Sequence, residues 1–217
     1  MIDAHRELLE QVKGFLDAAE GEALYSIARQ AGKIGPCLEI GSYCGKSTIY
    51  IGAACKETGS TLFAIDHHTG SEEQQPGEEY FDPDLFNFQT FQVDTLTPFR
   101  ETLRKADLLD TVVPMVCRSH VAARCWDTKL AMVFIDGGHA AETVRLDYES
   151  WAQHVMPGGY LVFHDIFINP EEGGQAPFDV YQIALSSGLF NEESMVKTLG
   201  ILRRKPGHPF CSNGTQF

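Results

Sequence analysis

A predicted strand that runs through a glycine turn into a helix is the segment of this chain best suited to bind a ligand. It reads Leu38-Glu39-Ile40-Gly41-Ser42-Tyr43-Cys44-Gly45-Lys46-Ser47-Thr48. Gly41 allows the backbone to turn sharply, and Gly45 allows the helix to begin close to whatever lies over the turn. We therefore expect a flat or anionic group to contact Gly41, Ser42 and Gly45.

A second predicted strand, Thr61-Leu62-Phe63-Ala64-Ile65, brings the carboxylate of Asp66 to the same sheet edge. A carboxylate there can accept hydrogen bonds from both hydroxyls of a ribose. The first turn has the spacing Glu-x-Gly-x-x-x-Gly, whereas dinucleotide-binding turns have Gly-x-Gly-x-x-Gly. Together these features favour S-adenosylmethionine (SAM) over NAD as the ligand.

Two later strands also end in polar residues. Leu130-Ala131-Met132-Val133-Phe134-Ile135 is followed by Asp136, and Tyr160-Leu161-Val162-Phe163 is followed by His164 and Asp165. Apolar strands that alternate with helices predict an α/β protein with a doubly wound, mostly parallel sheet and helices on both faces. Ligands bind at the carboxyl ends of such strands, so four strand ends indicate one site.

On these motifs the chain resembles the class I SAM-dependent methyltransferases over about residues 20–204. It is most similar to small-molecule O-methyltransferases of the metal-dependent catechol-type and antibiotic-tailoring groups. The resemblance implies a Rossmann-like fold with seven strands in the order 3-2-1-4-5-7-6, the last of them antiparallel.

The resemblance also implies contacts with the cofactor. Glu39 would reach the methionine amine through water or the turn backbone, and Ser119 would meet the adenine edge. The hydroxyls of Ser47 and Thr48 would meet the methionine carboxylate, although helix capping explains these two residues equally well. Asp136 is also expected at the cofactor.

A divalent cation is the next expectation. The resemblance makes the strands before Asp136 and His164 neighbours, so that Asp136, His164 and Asp165 converge and can bind a metal ion. Metal-dependent relatives carry acidic or amide ligands where this chain has His164. Mn²⁺, Fe²⁺ or Zn²⁺ therefore suits the site as well as Mg²⁺, and a metal-free site stays open. Alternatively, Asp165 caps a turn and His164 lines the cleft.

Methyl transfer to a hydroxyl requires an aligned nucleophile and a group that helps it lose a proton. A metal ion or an imidazole can do this. His139 follows Asp136 and two glycines, immediately before a predicted helix, so it is a candidate base or substrate contact, although a helix cap is the alternative. His67 and His68, directly after Asp66, are rival bases.

The 217 residues, 43% of them hydrophobic, suit one methyltransferase domain over residues 1–204. We expect an N-terminal helical cap (1–33), a lid insertion (67–107) and a loose tail (205–217). The N-terminal helices either pack as ordinary core, cover the substrate pocket or form a homodimer contact.

The formal net charge of −13 argues against nucleic acid and favours a small-molecule acceptor. Without a long apolar run or a basic, apolar leader, we expect no membrane partner and a cytoplasmic location. The six cysteines form no C-x-x-C pair, so neither disulfides nor a zinc cluster is expected.

No Lys or Arg lies between Lys56 and Arg100. That segment is either a solvated loop or a lid that prefers a cationic substrate or helps to bind metal.

Helical patterns predict one helix over 3–16, a second after Gly21, a third over 46–58 ended by Gly59, and a mostly helical segment over 86–107. The helix after Asp136 is expected to stop at Pro157-Gly158-Gly159.

Two rival functions remain open. One is an NAD(P)-dependent oxidoreductase, which is disfavoured because this chain lacks Gly-x-Gly-x-x-Gly, and the other is a non-catalytic SAM-binding protein.

Overall fold

The apolar segments form one seven-stranded sheet in the computed structural model, which describes residues 2–207. In chain order its strands are β1 (Cys37–Ile40), β2 (Leu62–Asp66), β3 (Val112–Val116), β4 (Leu130–Ile135), β5 (Val155–Phe163), β6 (Phe190–Val196) and β7 (Leu199–Arg204). They lie in the order β3-β2-β1-β4-β5-β7-β6. Only β7 runs antiparallel to its neighbours. The predicted fold class, strand order and antiparallel last strand are confirmed.

Helices cover both faces of the sheet. They are α1 (Arg6–Gln11), α2 (Ala18–Ala31), α3 (Lys46–Thr58), α4 (Leu96–Lys105), α5 (Ser119–Ala123), α6 (Ala141–Trp151) and α7 (Ala176–Ser186). Short 3₁₀ turns occur at Ile2–His5, Glu72–Gln74, Pro83–Leu85 and Ala152–His154. None of the helices within residues 2–207 is both long and apolar enough to cross a membrane.

Successive side chains of a strand point to opposite faces of the sheet, so the core has two layers, one on each face. Met132 and Phe134 of β4 belong to the layer with α2, α3 and α4, whereas Val133 and Ile135 belong to the layer with α6 and α7. Every residue of β1 and β4 is buried, as expected of parallel strands covered on both sides. The carboxyl ends of these central strands are therefore held rigidly.

Three predicted segments were wrong in detail. The N-terminal helix ends at Gln11, and Gly21 lies inside α2 instead of between helices. Residues 86–95 are not helical: Phe86–Asn87 pairs with Gln92–Val93 as a separate hairpin, and α4 begins only at Leu96. The Asp94 carboxylate accepts hydrogen bonds from the backbone N–H groups of Leu96 and Thr97, which fixes that start.

The third correction concerns Pro157-Gly158-Gly159, which lies within β5 and does not terminate a helix. Helix α6 ends at Trp151 and a 3₁₀ turn follows. The β4–β5 pairing shifts its register between Leu130 and Met132, and Gly158 has a φ of +79°. An irregular strand can therefore include residues that in isolation indicate a stop. Most of the predicted tail, 208–217, lies outside the described residues.

Gly21 is needed because α2 packs closely on α3. A Cβ atom at this position would overlap the ring of Tyr50, which is buried. We expect Gly21→Ala to lower the free energy of unfolding by roughly 1–3 kcal/mol, although alanine is the better helix former. Urea denaturation measures the change.

A double-mutant cycle supplies the control for Gly21. In a Tyr50→Leu background the added methyl group should cost less than half as much, because the ring is gone. Stabilisation by Gly21→Ala in the wild-type background would contradict this account of the α2–α3 contact.

Glu39 is a carboxyl group within the central strand β1 and is fully buried. Its Oε2 accepts a hydrogen bond of 2.6 Å from Thr48 Oγ1 on α3, whereas Oε1 has no hydrogen-bond partner among the described residues. Burial raises the pKa of Glu39 to about 8, so the group is mostly protonated at neutral pH.

Because its pKa is raised, Glu39 makes the stability of the folded protein depend on pH. The unfolded chain loses the Glu39 proton near pH 4.5 and the folded protein near pH 8, so the contribution of Glu39 decreases as pH rises through that window. We expect Glu39→Gln to gain stability relative to wild type from pH 5 to 8.5, by at most about 5 kcal/mol. Urea denaturation across this range measures the difference.

The matched control for Glu39 is Glu10→Gln, which changes an exposed glutamate on α1 and should keep a constant difference from wild type. If the stability difference between Glu39→Gln and wild type is just as constant across the range, Glu39 is not protonated in the folded protein at neutral pH.

Candidate functional site

The carboxyl ends of the central strands open into one cleft of about 950 Å³. Most of the predicted site residues line it: Gly41, Ser42, Ser47, Asp66, His67, Ser119, Asp136, His139, His164 and Asp165. Four do not line it, namely Glu39, Gly45, Thr48 and His68. The sheet therefore brings together the residues after β1, β2, β4 and β5, as the strand ends predict.

The turn after β1 depends on glycine. Gly41 has a φ of +88°, and a Cβ atom on it would overlap the backbone carbonyl of Asp136. Gly45 has a φ of +94° and precedes the first residue of α3. Gly41 therefore lets the turn backbone face the cleft without a side chain. Gly45 instead allows close packing on α4, because a Cβ atom on it would lie 3.0–3.3 Å from Thr102 and Phe99.

Asp66 joins the turns that follow β1 and β2. Its Oδ2 accepts a hydrogen bond of 2.8 Å from the backbone N–H of Tyr43, and its Oδ1 accepts one of 2.7 Å from the backbone N–H of His68. A carboxylate offers about four lone-pair sites, so acceptor capacity remains for a ligand. The predicted ribose acceptor is thus also a structural bridge.

Two of the three candidate bases differ sharply in position. His68 is buried, its Nδ1 lies 2.8 Å from Thr95 Oγ1, and its ring packs 5.0 Å from that of Phe99. Burial lowers the pKa of His68. His67 lines the cleft, and its Nδ1 lies 2.7 Å from Thr69 Oγ1. Of this pair, only His67 could reach a substrate without rearrangement.

Asp136, His164 and Asp165 meet at the ends of β4 and β5, and one ligand atom from each lies within 4.8 Å of the others. His164 Nδ1 is 3.1 Å from Asp136 Oδ1 and 3.3 Å from Asp165 Oδ2. Burial raises the pKa of Asp136 despite the nearby imidazole. For Asp165, burial is outweighed by hydrogen bonds from His139 and His164, which lower its pKa.

Glu20 on α2 is a fourth member of this cluster that sequence reasoning missed. Its Oε2 lies 3.0 Å from His164 Nε2, and its Oε1 accepts hydrogen bonds from the backbone and hydroxyl of Thr198. Burial would lower the pKa of His164, but its carboxylate partners raise it overall. The same contacts lower the pKa of Glu20 to about 2 against the effect of burial. The only sequence signal was the spacing Asp17-x-x-Glu20, which predicts a capping box and no site.

His139 lies between two carboxylates. Its Nε2 is 2.8 Å from Asp165 Oδ2, and its Nδ1 is 2.9 Å from Glu73 Oε2 of the insertion. The hydrogen bond to Asp165 raises the pKa of His139 to about 9, with Glu73 adding to the effect and burial opposing it. Both ring nitrogens donate in this arrangement, so His139 can accept a proton only after one of them has lost its own.

The insertion reaches the cleft through its first half. Glu72, Glu73, Glu79 and Tyr80 line the cleft, and Tyr80 packs edge-on against Phe15 with ring centroids 5.4 Å apart. Lys13 donates hydrogen bonds of 2.6 and 2.9 Å to Asp82 and Asp84, which ties the insertion to the N-terminal segment. The insertion thus presents carboxylates to the cleft.

Solved structures with the same fold include several methyltransferases. The O-methyltransferase TomG from Streptomyces achromogenes, in complex with SAM, has 17% sequence identity and a TM-score of 0.62 over 94% of this chain and 86% of that chain. An O-methyltransferase from Bacillus cereus in complex with S-adenosylhomocysteine (SAH) has 14% identity and a TM-score of 0.64 over 94% and 90%. The SAH-bound Podospora anserina methyltransferase PaMTH1 has 13% identity and a TM-score of 0.63 over 94% and 87%. At these identities the likeness shows the fold alone.

The sequence itself matches a known family over residues 38–166, which is more than half of the chain. The match extends from β1 to the residue after Asp165, and it includes Gly41, Asp66, Asp136, His139 and His164. The family is described as a methyltransferase domain. The cleft at the strand ends therefore lies in a protein that belongs to this methyltransferase domain family.

Proposed function

We propose that the protein is a SAM-dependent O-methyltransferase that acts on a small metabolite. The proposal rests on two sets of residues that line one cleft. The first set is the Gly41 turn with Asp66, and the second is Asp136, His164 and Asp165 with His139. The first set suits a nucleoside, and the second suits a hydroxyl that must lose a proton.

The cleft fits SAM on several grounds. Its volume of about 950 Å³ falls within the usual range for small-molecule sites. The Gly41 backbone is open to close contact, and Asp66 retains lone pairs for ribose hydroxyls. Ser42 Oγ is buried without a hydrogen-bond partner among residues 2–207, so a ligand could supply one. The hydrogen bond between Thr48 and Glu39 would hold the turn in place, although neither residue lines the cleft.

The residues around the second set have distinct roles in the proposed reaction. SAM supplies an electrophilic methyl group when bound. Asp165 orients the His139 ring through Nε2. When Glu73 withdraws, Nδ1 loses its proton to Glu73 or to solvent, and the freed nitrogen then takes the acceptor proton. His67 is a second candidate for this role. The apolar walls at Phe15 and Tyr80 would align the acceptor and exclude water.

The donor set also fits a divalent cation, which is part of the proposal. Asp136 and Asp165 offer carboxylate oxygens and His164 offers Nδ1, while Nε2 donates to Glu20 as metal-bound imidazoles usually do to an outer carboxylate. Such a cation would lower the pKa of an acceptor hydroxyl. The imidazole nitrogen makes Mn²⁺, Fe²⁺ or Zn²⁺ as suitable as Mg²⁺.

A small-molecule acceptor is favoured over nucleic acid because the net charge of −13 would repel phosphates. The carboxylates of Glu72, Glu73 and Glu79 along the cleft favour the lid interpretation of the insertion (67–107) over a solvated loop. We propose a cytoplasmic location, since Cys37, Cys44 and Cys55 are buried free thiols. The N-terminal cap and a homodimer contact stay predictions.

Two experiments separate this function from its rivals. Purified protein should bind SAH and not NAD(H) or NADP(H), whereas an oxidoreductase would do the reverse. Labelled SAM incubated with a metabolite extract should then yield a labelled small molecule. Tight SAH binding without transfer to any acceptor would indicate a non-catalytic SAM-binding protein.

Asp66→Ala should weaken SAH binding at least tenfold, because the ribose hydroxyls lose a charged acceptor worth roughly 1.5–3 kcal/mol. Titration calorimetry measures the affinity. The matched control is Asp94→Ala, which removes a carboxylate that likewise accepts from two backbone N–H groups but lies outside the cleft lining. If the two variants bind SAH equally well, Asp66 is not the ribose acceptor.

The metal site predicts one Mn²⁺ bound per SAH complex, with affinity reduced roughly 10–100-fold in Asp136→Asn and Asp165→Asn. Electron paramagnetic resonance of free Mn²⁺ measures the binding. Glu142→Gln, which also removes a cleft carboxylate, should bind Mn²⁺ like wild type. Full methyl transfer in chelator, with loss only on changing His139 or His67, would establish a metal-free general base instead.

A further inference from the structure

Asp147 is a buried carboxylate in the cleft that the proposed reaction does not use. It lies on α6, is only 4% exposed, and contacts Ser119 at the start of α5. The Ser119 hydroxyl donates to Asp147 Oδ1, and both residues line the cleft. The sequence indicated Ser119 through resemblance but gave no reason to select Asp147.

The second oxygen of Asp147 lacks a donor. Oδ2 accepts no hydrogen bond from the described residues, and a Cβ atom on Gly137 would lie 3.1 Å from it. Gly137 therefore leaves the space beside Oδ2 open. Burial raises the pKa of Asp147 to about 6, against the effect of the Ser119 hydrogen bond. A carboxylate in such a place gains most from a ligand that donates a hydrogen bond.

The strand order indicates which part of the ligand comes here. Ser119 follows β3, which lies beyond β2 and Asp66, whereas Asp136 and Asp165 lie on the other side of β1. A nucleoside that crosses β1 with its ribose at Asp66 would direct its sulfonium group towards Asp136. Its base would then point towards Ser119 and Asp147.

We propose that Asp147, held by Ser119, binds the exocyclic amino group of the cofactor's purine and selects adenine over bases with a carbonyl there. This inference rests on the proposed function. The adenine amino group donates two hydrogen bonds, and Asp147 Oδ2 is an unfilled acceptor. A carbonyl at the same position would face the carboxylate with no proton between them, and sites built for a hydrogen bond reject such analogues strongly.

The experiment compares two ligands that differ at this one group, SAH and S-inosylhomocysteine, by titration calorimetry. Wild-type protein should prefer SAH by at least about 100-fold. Asp147→Asn should reduce the preference to less than about tenfold, because an amide can either accept from an amino group or donate to a carbonyl. Ser119→Ala, which removes the hydrogen bond to Asp147 but leaves the carboxylate in place, should reduce the preference less.

Asp66→Ala is the control, since it should weaken both ligands equally and keep the preference. An unchanged preference in both Asp147→Asn and Ser119→Ala would overturn the inference, while the proposed function would stand if SAH still binds. Wild-type protein that binds neither ligand would instead remove the proposed function, and this inference with it.

Discussion

The site depends on the contact between one buried imidazole and three carboxylates. His164 follows β5, and its Nδ1 faces Asp165 and Asp136, the residue after β4, while Glu20 from α2 contacts its Nε2. Removing one partner from such a buried group costs about 3–5 kcal/mol, because the remaining charge has lost its compensation. The network therefore fixes α2 on the sheet and also fixes where the site's charges lie.

That arrangement explains why the strand ends carry these particular residues. Glu20, Glu73, Asp136 and Asp165 bring four acidic groups into a small volume, against which His164 and His139 are the positive groups in direct contact. Carboxylates at such distances repel one another unless protons or cations lie between them. In the described structure the imidazoles supply this compensation, and a divalent cation at Nδ1 of His164 would supply the same charge in another form.

The backbone framework could be predicted from sequence because each of its signals is local. Helix α3 spans Lys46–Thr58 and ends at Gly59 as predicted, and β4 has the predicted bounds Leu130–Ile135. The hairpin within 86–93 was missed because its phenylalanines mimic a helical stripe, although they pack partly on each other. Glu20 and Asp147 were missed because their roles come from partners 144 and 28 residues away, which no local pattern records.

Asp165 makes the two chemical roles of the site interdependent. Its Oδ2 lies 2.8 Å from His139 Nε2 and 3.3 Å from His164 Nδ1, so the same oxygen orients the candidate base and belongs to the candidate metal site. A cation drawn to this oxygen would weaken its hold on His139 and so lower the pKa of that imidazole. The insertion acts on the other nitrogen through Glu73. Cation binding at Asp165 and withdrawal of Glu73 would each lower the pKa of His139, so the cation side and the insertion side of the cleft both influence when this imidazole can act as a base.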